Sequence, residues 1–139
     1  MKLSRVYQTP GDGQCFRCCL ATLLQVPLDT VPPMKRTKDG WMARLRSWTR
    51  TYGYDLIYVR NLAARFTKAP VIVGGNPTGQ RGAWHAIIVQ SGRTLHDPFP
   101  PGHGRSRGLK TWVDYYLLVP MEPGQYVATG AAVAGKQEE

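Results

Sequence analysis

The sequence lacks a hydrophobic run long enough to cross a membrane. No stretch approaches the roughly 18 consecutive apolar residues that a transmembrane helix needs. The segment that begins Met1-Lys2-Leu3-Ser4-Arg5 also has no apolar core of the kind found in secretion signals. We therefore expect a soluble protein with no membrane partner, located in the cytoplasm.

Cysteine is scarce, and its placement argues against a disulfide framework. The chain has 3 cysteines, an odd number, at Cys15, Cys18 and Cys19. Thiols this close together suit a reducing compartment and are expected to be free. The histidines are His85, His96 and His103. Because no second Cys-x-x-Cys or His-x-x-x-His pair follows, the spacing does not fit the usual structural zinc motifs, and we expect neither a metal nor a cofactor.

Acidic residues are few, and the resulting positive charge is concentrated. The chain has 18 Lys and Arg against 9 Asp and Glu, a formal net charge of +9. Within residues 35–68 the acidic residues are Asp39 and Asp55, and the basic ones are Lys35, Arg36, Lys38, Arg44, Arg46, Arg50, Arg60, Arg65 and Lys68. Such a stretch attracts an anionic partner, whether nucleic acid, a cell-wall polymer or an acidic protein, or it forms an ordinary solvated face.

The length and the hydrophobic content predict one domain. A chain of 139 residues with 42% hydrophobic residues can bury a core without a second domain. We expect a single domain over residues 1–123, and a monomer. Residues 124–139 are rich in Gly, Ala and polar residues and are expected to form a disordered tail.

Hydrophobic periodicity predicts an α+β fold. Apolar residues at helical spacing indicate helices over residues 14–25 and 41–52, and residues 26–40 are expected to form a loop or a short helical turn. Predicted strands lie at residues 3–8, 54–59, 70–74, 85–90, 93–96 and 115–119. Because the helices come first, we expect a mainly antiparallel sheet packed on the first helix.

Cys15 is the strongest candidate for a catalytic nucleophile. The string Gly11-Asp12-Gly13-Gln14-Cys15-Phe16 places a thiol where a glycine-rich turn leads into a helix, with Asp12 as the expected N-cap. Unpaired N–H groups and the partial positive charge of a helix N-terminus stabilise a thiolate and bind a developing oxyanion. Cys18 and Cys19 lie one turn further along, and packing explains them.

His85 and Asp97 complete a candidate catalytic triad. His85 opens an apolar strand, Ser91-Gly92 predicts a hairpin turn, and Asp97 ends the returning strand, so that His85 and Asp97 become cross-strand neighbours. The order Cys, His, Asp fits a thiol nucleophile, its general base and the group that orients the base. Alternation along the strand turns His96 to the opposite face from Asp97, which makes Asp97 the better third member.

An oxyanion hole needs the backbone N–H of Cys15 and one side-chain donor. Gln8 is the first choice, because it can fold back across the turn toward the sulfur. Gln14 is the second choice, because its side chain diverges from that of Cys15 at the start of the helix.

Several motifs over about residues 5–120 resemble small papain-like cysteine peptidase domains encoded by bacteria and tailed phages. The motifs are Tyr7-Gln8-Thr9, Gly13-Gln14-Cys15-Phe16, Ala21 to Leu28, Val31-Pro32, His85 to Val89, His96-Asp97-Pro98 and Tyr115 to Pro120. These domains are related to the double-glycine leader peptidases that trim bacteriocin precursors. The resemblance implies a papain-like fold, a bacterial or phage-infected cell, a protein or peptide substrate, and catalytic roles at Gln8, Cys15, His85 and Asp97.

Two further resemblances imply the same chemistry on other substrates. The Asp12 to Cys15 string is similar to the nucleophile turn of ovarian-tumour-type deubiquitinases, and the histidine strand with Asp97 is similar to NlpC-type cell-wall enzymes. We expect a cysteine hydrolase that cleaves a peptide, isopeptide or related amide bond through an acyl-enzyme, or passes the acyl group to an amine. The alternatives are a peptidoglycan amidase or endopeptidase and a non-catalytic basic binding module for nucleic acid or a phage–host contact.

Overall fold

The computed structural model describes residues 4–7, 14–34, 40–77, 84–99 and 108–121. Within these residues, two α-helices and five β-strands form the fold, joined in part by short 3₁₀ turns. The helices are α1 (Cys15–Leu24) and α2 (Trp41–Arg50), and the 3₁₀ turns are Leu28–Thr30 and Leu62–Phe66. The strands are β1 (Tyr54–Val59), β2 (Val71–Asn76), β3 (His85–Gln90), β4 (Arg93–His96) and β5 (Thr111–Pro120).

The five strands form one antiparallel sheet in the order β1-β5-β2-β3-β4. The last strand in the sequence, β5, therefore lies between β1 and β2. The β3–β4 hairpin turns at Ser91 and Gly92, which both have positive φ, as a two-residue hairpin turn of the I′ type requires. The predicted α+β class with a mainly antiparallel sheet is confirmed.

Helix α1 forms because its apolar residues cover nearly its whole surface. Nine of its ten residues are buried, and the positions that repeat at helical spacing in the sequence are among them. The helix packs chiefly against β3. It ends at Gln25, which adopts the left-handed conformation and donates its backbone N–H to the last turn. The packing expected for Cys18 and Cys19 is confirmed, since both are fully buried.

The sheet buries apolar side chains on both faces. On the face that carries α1, the core includes Phe16, Leu20, Ile72, Ile88 and Tyr116. On the other face, a smaller core forms around Val73, Ile87, Val89 and Tyr115. The first of these cores fixes the start of α1 against β3, and that junction is where the candidate site lies.

The prediction of an N-terminal strand over residues 3–8 is wrong for residues 4–7, which are the described part of this range and form no strand. Their backbone groups pair with side chains instead of a neighbouring strand. Gln25 binds both Ser4 backbone groups, the Thr22 hydroxyl accepts from Val6 N–H, and His96 contacts the Val6 carbonyl oxygen. These contacts hold the segment between α1 and β4.

Strand β5 begins at Thr111, four residues before the strand expected at 115–119. The added part pairs with the end of β2 across a register shift between Gly74 and Gly75. A Cβ at Gly75 would lie 1.8 Å from the Thr111 carbonyl oxygen, so this irregular pairing needs a glycine. The sequence pattern missed this part because Trp112 and Val113 interrupt its alternation of apolar and polar residues.

The tail predicted at 124–139 lies outside the described residues, as does Asp12, the expected N-cap of α1. Gln14 occupies the N-cap position and makes no side-chain capping hydrogen bond there. Among the described residues, no helix has the length and apolar character needed to cross a membrane.

Candidate active site

Cys15 is the first residue of α1 and lies against the start of β3. The backbone N–H groups of Ala86, Phe16 and Cys15 itself lie near enough to its sulfur to lower the pKa of the thiol. The pairing between β3 and β4 ends at Ile88 and His96. Ala86 lies beyond this last pair, and its N–H can therefore reach the start of α1. The sulfur therefore lies near the backbone of the residue that directly follows His85.

Burial controls the protonation state of Cys15. Its side chain is 5% exposed, and desolvation raises the pKa of the thiol from 9.0 to about 11, although the three backbone N–H groups oppose the shift. The sequence predicts a thiolate stabilised by the helix N-terminus. In the structure desolvation outweighs that effect, so the thiol is protonated near neutral pH.

His85 and Asp97 form the buried contact that the sequence predicts across the β3–β4 hairpin. His85 Nε2 lies 2.7 Å from Asp97 Oδ1, and both side chains are almost fully buried. The ring of Phe99 stacks on the imidazole with a centroid separation of 3.9 Å and an interplanar angle of 5°. The stacking fixes the plane of the imidazole and shields one of its faces from water.

Backbone donors hold the Asp97 carboxylate in place. Phe99 N–H donates to Oδ1 at 2.9 Å, and Gly108 N–H donates to Oδ2. Burial raises the pKa of Asp97, but the hydrogen bonds from His85, Gly108 and Phe99 outweigh burial and leave this pKa below 3.8. An ionised Asp97 only accepts hydrogen bonds, so His85 Nε2 carries a proton and Nδ1 is the basic nitrogen of the neutral ring.

In the described part of the chain, the Cys15 sulfur makes no hydrogen bond with the His85 ring. The sulfur instead lies near the backbone N–H of Ala86, the residue that follows His85. The contacts between catalytic groups are often longer in unliganded enzymes than in complexes with substrate. The structure thus brings the three predicted residues to one place, with the histidine–aspartate contact formed and the thiol–histidine contact open.

His96 has a structural contact and no contact with His85. Its Nε2 lies 2.7 Å from the Val6 carbonyl oxygen, and its ring meets the edge of Tyr7 at 4.9 Å. It therefore secures the N-terminal segment, while Asp97 is the residue that contacts His85.

The two candidate side-chain donors to the oxyanion are Gln8 and Gln14. Gln8 lies outside the described residues. The Gln14 side-chain oxygen accepts a hydrogen bond from Arg17, whose guanidinium also binds the carbonyl oxygens of Leu28 and Val31. Arg17 thereby ties Gln14 to the loop after α1.

Three contributors to the site were missed in the sequence: the ring of Phe99 and the backbone N–H groups of Gly108 and Ala86. The sequence patterns assigned no role to Phe99 or Gly108. Gly108 has a φ of +81°, a conformation that favours glycine. The glycine at this position is the one feature of the sequence that could have indicated a fixed backbone conformation there. Within the described residues, no group of three His, Cys, Asp or Glu gathers to hold a metal ion.

Part of the predicted basic surface is neutralised within the fold. Asp55 contacts Arg46 at 2.6 Å and Arg50 at 3.3 Å, and the Arg46 contact lowers the pKa of Asp55. Lys35, Arg36 and Lys38 lie outside the described residues. The described arginines therefore offer less free charge than their number in the sequence indicates, and an anionic partner remains a hypothesis.

The raised pKa of Cys15 predicts a loss of stability in alkali. Below pH 9 the thiol is protonated in both the folded and the unfolded protein. Between pH 9 and about 11 the unfolded thiol ionises while the folded one keeps its proton. The free energy of unfolding should therefore fall by about 2 to 3 kcal/mol across this range through Cys15.

Urea unfolding from pH 8 to 11 measures this effect. Cys19, whose pKa burial also raises, contributes a parallel loss, so the wild type must be compared with Cys15→Ser, in which only the first thiol is removed. Equal pH slopes for the two proteins would contradict the raised pKa of Cys15.

Comparisons with protein families, with curated proteins and with solved structures found no match to this chain. The function of this chain is therefore inferred from the geometry of Cys15, His85 and Asp97.

Proposed function

We propose that this protein is a cysteine hydrolase that cleaves a peptide, isopeptide or related amide bond through an acyl-enzyme. Cys15 is the nucleophile, His85 the general base and acid, and Asp97 the residue that orients His85. One observation carries the proposal: His85 contacts Asp97 at 2.7 Å, and the residue that follows His85, Ala86, has its backbone N–H near the Cys15 sulfur.

The protonation states support attack by a thiol whose proton leaves during the reaction. Because the pKa of Cys15 is raised to about 11, a preformed thiolate is not the resting state. As the sulfur attacks the carbonyl carbon, Nδ1 of His85 takes the thiol proton, and Asp97 stabilises the imidazolium that forms. The ionised Asp97 keeps the ring in the required tautomer before attack begins.

The remaining steps return the enzyme to its starting state. The Cys15 N–H and the Gln8 side chain stabilise the oxyanion, and His85 gives its proton to the leaving amine. Water then attacks the thioester while His85 accepts a proton from it, and the Cys15–acyl bond breaks with release of the carboxylic acid. The imidazolium returns that proton to the sulfur.

A peptide library tests the proposal directly. We expect the wild-type protein to generate new N-termini in a library of proteome-derived peptides, detected by mass spectrometry, and Cys15→Ala to generate none. Isopeptide-linked peptides in the same mixture separate the two kinds of amide substrate.

His96→Asn is the matched control, because His96 is a buried histidine with no contact to His85. It should retain cleavage if it folds as judged by circular dichroism. Identical peptide profiles for the wild type and Cys15→Ala would overturn the proposal.

A further inference from the structure

An apolar cavity of about 280 Å³ lies beside the start of α2. Its lining residues are Gly40, Trp41, Met42, Tyr58 and Tyr116. They come from α2 and its preceding residue, from β1 and from β5, so three separate parts of the chain build the wall. None of Cys15, His85 and Asp97 is among these residues.

The cavity is connected to the candidate catalytic residues by a row of aromatic rings. Phe16, which follows Cys15, meets the rings of Tyr116 at 4.8 Å and Trp41 at 5.3 Å. Trp84, which precedes His85, lies 6.4 Å from the same Phe16 ring. Phe16 and Tyr116 are themselves buried, so a substrate whose carbonyl reaches Cys15 would meet the exposed rings of Trp84 and Tyr58 on its way to the cavity.

Asp114 fixes the two most exposed rings of this surface. Its carboxylate accepts from the Tyr58 hydroxyl at 2.6 Å and from Trp84 Nε1 at 3.3 Å. Trp84 lies on Gly74, where a Cβ would come within 2.2 Å of the indole. Tyr58 is 43% and Trp84 is 40% exposed, so rigidly held aromatic faces remain open to solvent. Binding to such faces costs little conformational entropy.

We propose that this cavity binds an aromatic or large apolar side chain of the peptide substrate. The inference rests on the proposed function for its location relative to the scissile bond. The cavity volume lies below the roughly 300 to 1,000 Å³ of pockets that take a whole drug-sized ligand, so it suits one side chain of a longer chain. Its aromatic lining favours an apolar side chain over an anionic one, because an anionic side chain would lose its hydration without gaining a partner.

Binding is tested without catalysis in Cys15→Ala. Capped alanine pentapeptides that carry one phenylalanine, at each position in turn, are titrated and compared with the all-alanine peptide. The indole N–H resonances of Trp41 and Trp84 report occupation of the cavity by NMR. At least one phenylalanine peptide should bind about tenfold or more tightly than the alanine peptide and shift Trp41.

Tyr58→Ala in the same background should remove that preference, because it deletes an exposed wall of the cavity. Tyr7→Ala is the matched control: Tyr7 is 40% exposed and contacts His96 instead. It should leave the preference unchanged. No preference for phenylalanine at any position, or equal losses in the two tyrosine variants, would overturn the inference.

The same peptides given to the wild-type protein separate the two proposals. Cleavage without any preference for phenylalanine would leave the hydrolase intact and overturn the binding site. A preference retained in Cys15→Ala, together with no cleavage by the wild type, would support the binding site and overturn the hydrolase.

Discussion

Asp97→Asn is expected to lower kcat/KM for peptide cleavage by about 100- to 10,000-fold while the protein remains folded. The carboxylate oxygens of Asp97 accept from His85, Phe99 N–H and Gly108 N–H. An asparagine offers one oxygen and one NH₂ group to these same three donors. Every orientation of the amide therefore places two donors against each other.

Both orientations of the asparagine impair the base. When the NH₂ group of the asparagine faces His85, the Nε2 atom of His85 must accept a hydrogen bond, and the ring proton moves to Nδ1. His85 then has no unprotonated Nδ1 with which to deprotonate Cys15. With NH₂ toward Gly108, the tautomer is kept, but the backbone N–H loses its acceptor and no negative charge stabilises the imidazolium. The loss should therefore appear mainly in kcat.

His96→Asn is the control for this prediction, because it removes a neighbouring buried histidine that contacts Val6 instead of His85. Its kcat/KM should stay within about tenfold of the wild type, after correction for the folded fraction. If His96→Asn were the more damaging change, His96 would be the third catalytic residue and the resemblance to NlpC-type enzymes would gain weight.

The pH dependence of the free energy of unfolding of Asp97→Asn supplies a second measurement. Because the pKa of Asp97 is lowered in the folded protein, its contribution to stability is present above about pH 3.8 and is lost as the pH falls through the folded pKa. The asparagine variant should lack this part of the acid-induced loss. An unchanged acid slope would contradict the hydrogen-bonded, ionised carboxylate.

Local patterns in the sequence were enough to predict the elements that carry the candidate triad. The apolar spacing from Phe16 to Leu24 predicts α1, and Ser91-Gly92 predicts the hairpin that brings His85 to Asp97. These features depend on residues close together in the sequence, so propensity and alternation suffice.

The parts that escaped prediction depend on contacts between distant residues. No local signal places β5 between β1 and β2, since strand order is set by packing of the whole sheet. Gly108 reaches Asp97 across eleven positions of the chain, and the Val6 backbone pairs with His96 across ninety. The resting protonation of Cys15 also escaped, because helix position is visible in the sequence and burial is not.

Cys15 is expected to be the most reactive of the three thiols toward iodoacetamide, because Cys18 and Cys19 are fully buried in α1 while Cys15 is 5% exposed. Its reaction with iodoacetamide, without help from the His85 imidazole, should nevertheless be slow at neutral pH. With a pKa of about 11, the thiolate fraction rises tenfold for each pH unit until that value is reached. Peptide mapping after timed alkylation gives the three rates separately.

His85→Gln isolates the assistance given by the imidazole. With a peptidyl acyloxymethyl ketone, the wild type should be labelled at Cys15 much faster than the variant near pH 7, because Nδ1 accepts the thiol proton during attack. Near pH 11 the thiol ionises without help, so the two rates should converge.

Equal labelling of all three cysteines would remove Cys15 as the nucleophile. Parallel pH profiles for the wild type and His85→Gln would remove His85 as its base, because a base that acts during attack must matter most where the thiol is still protonated.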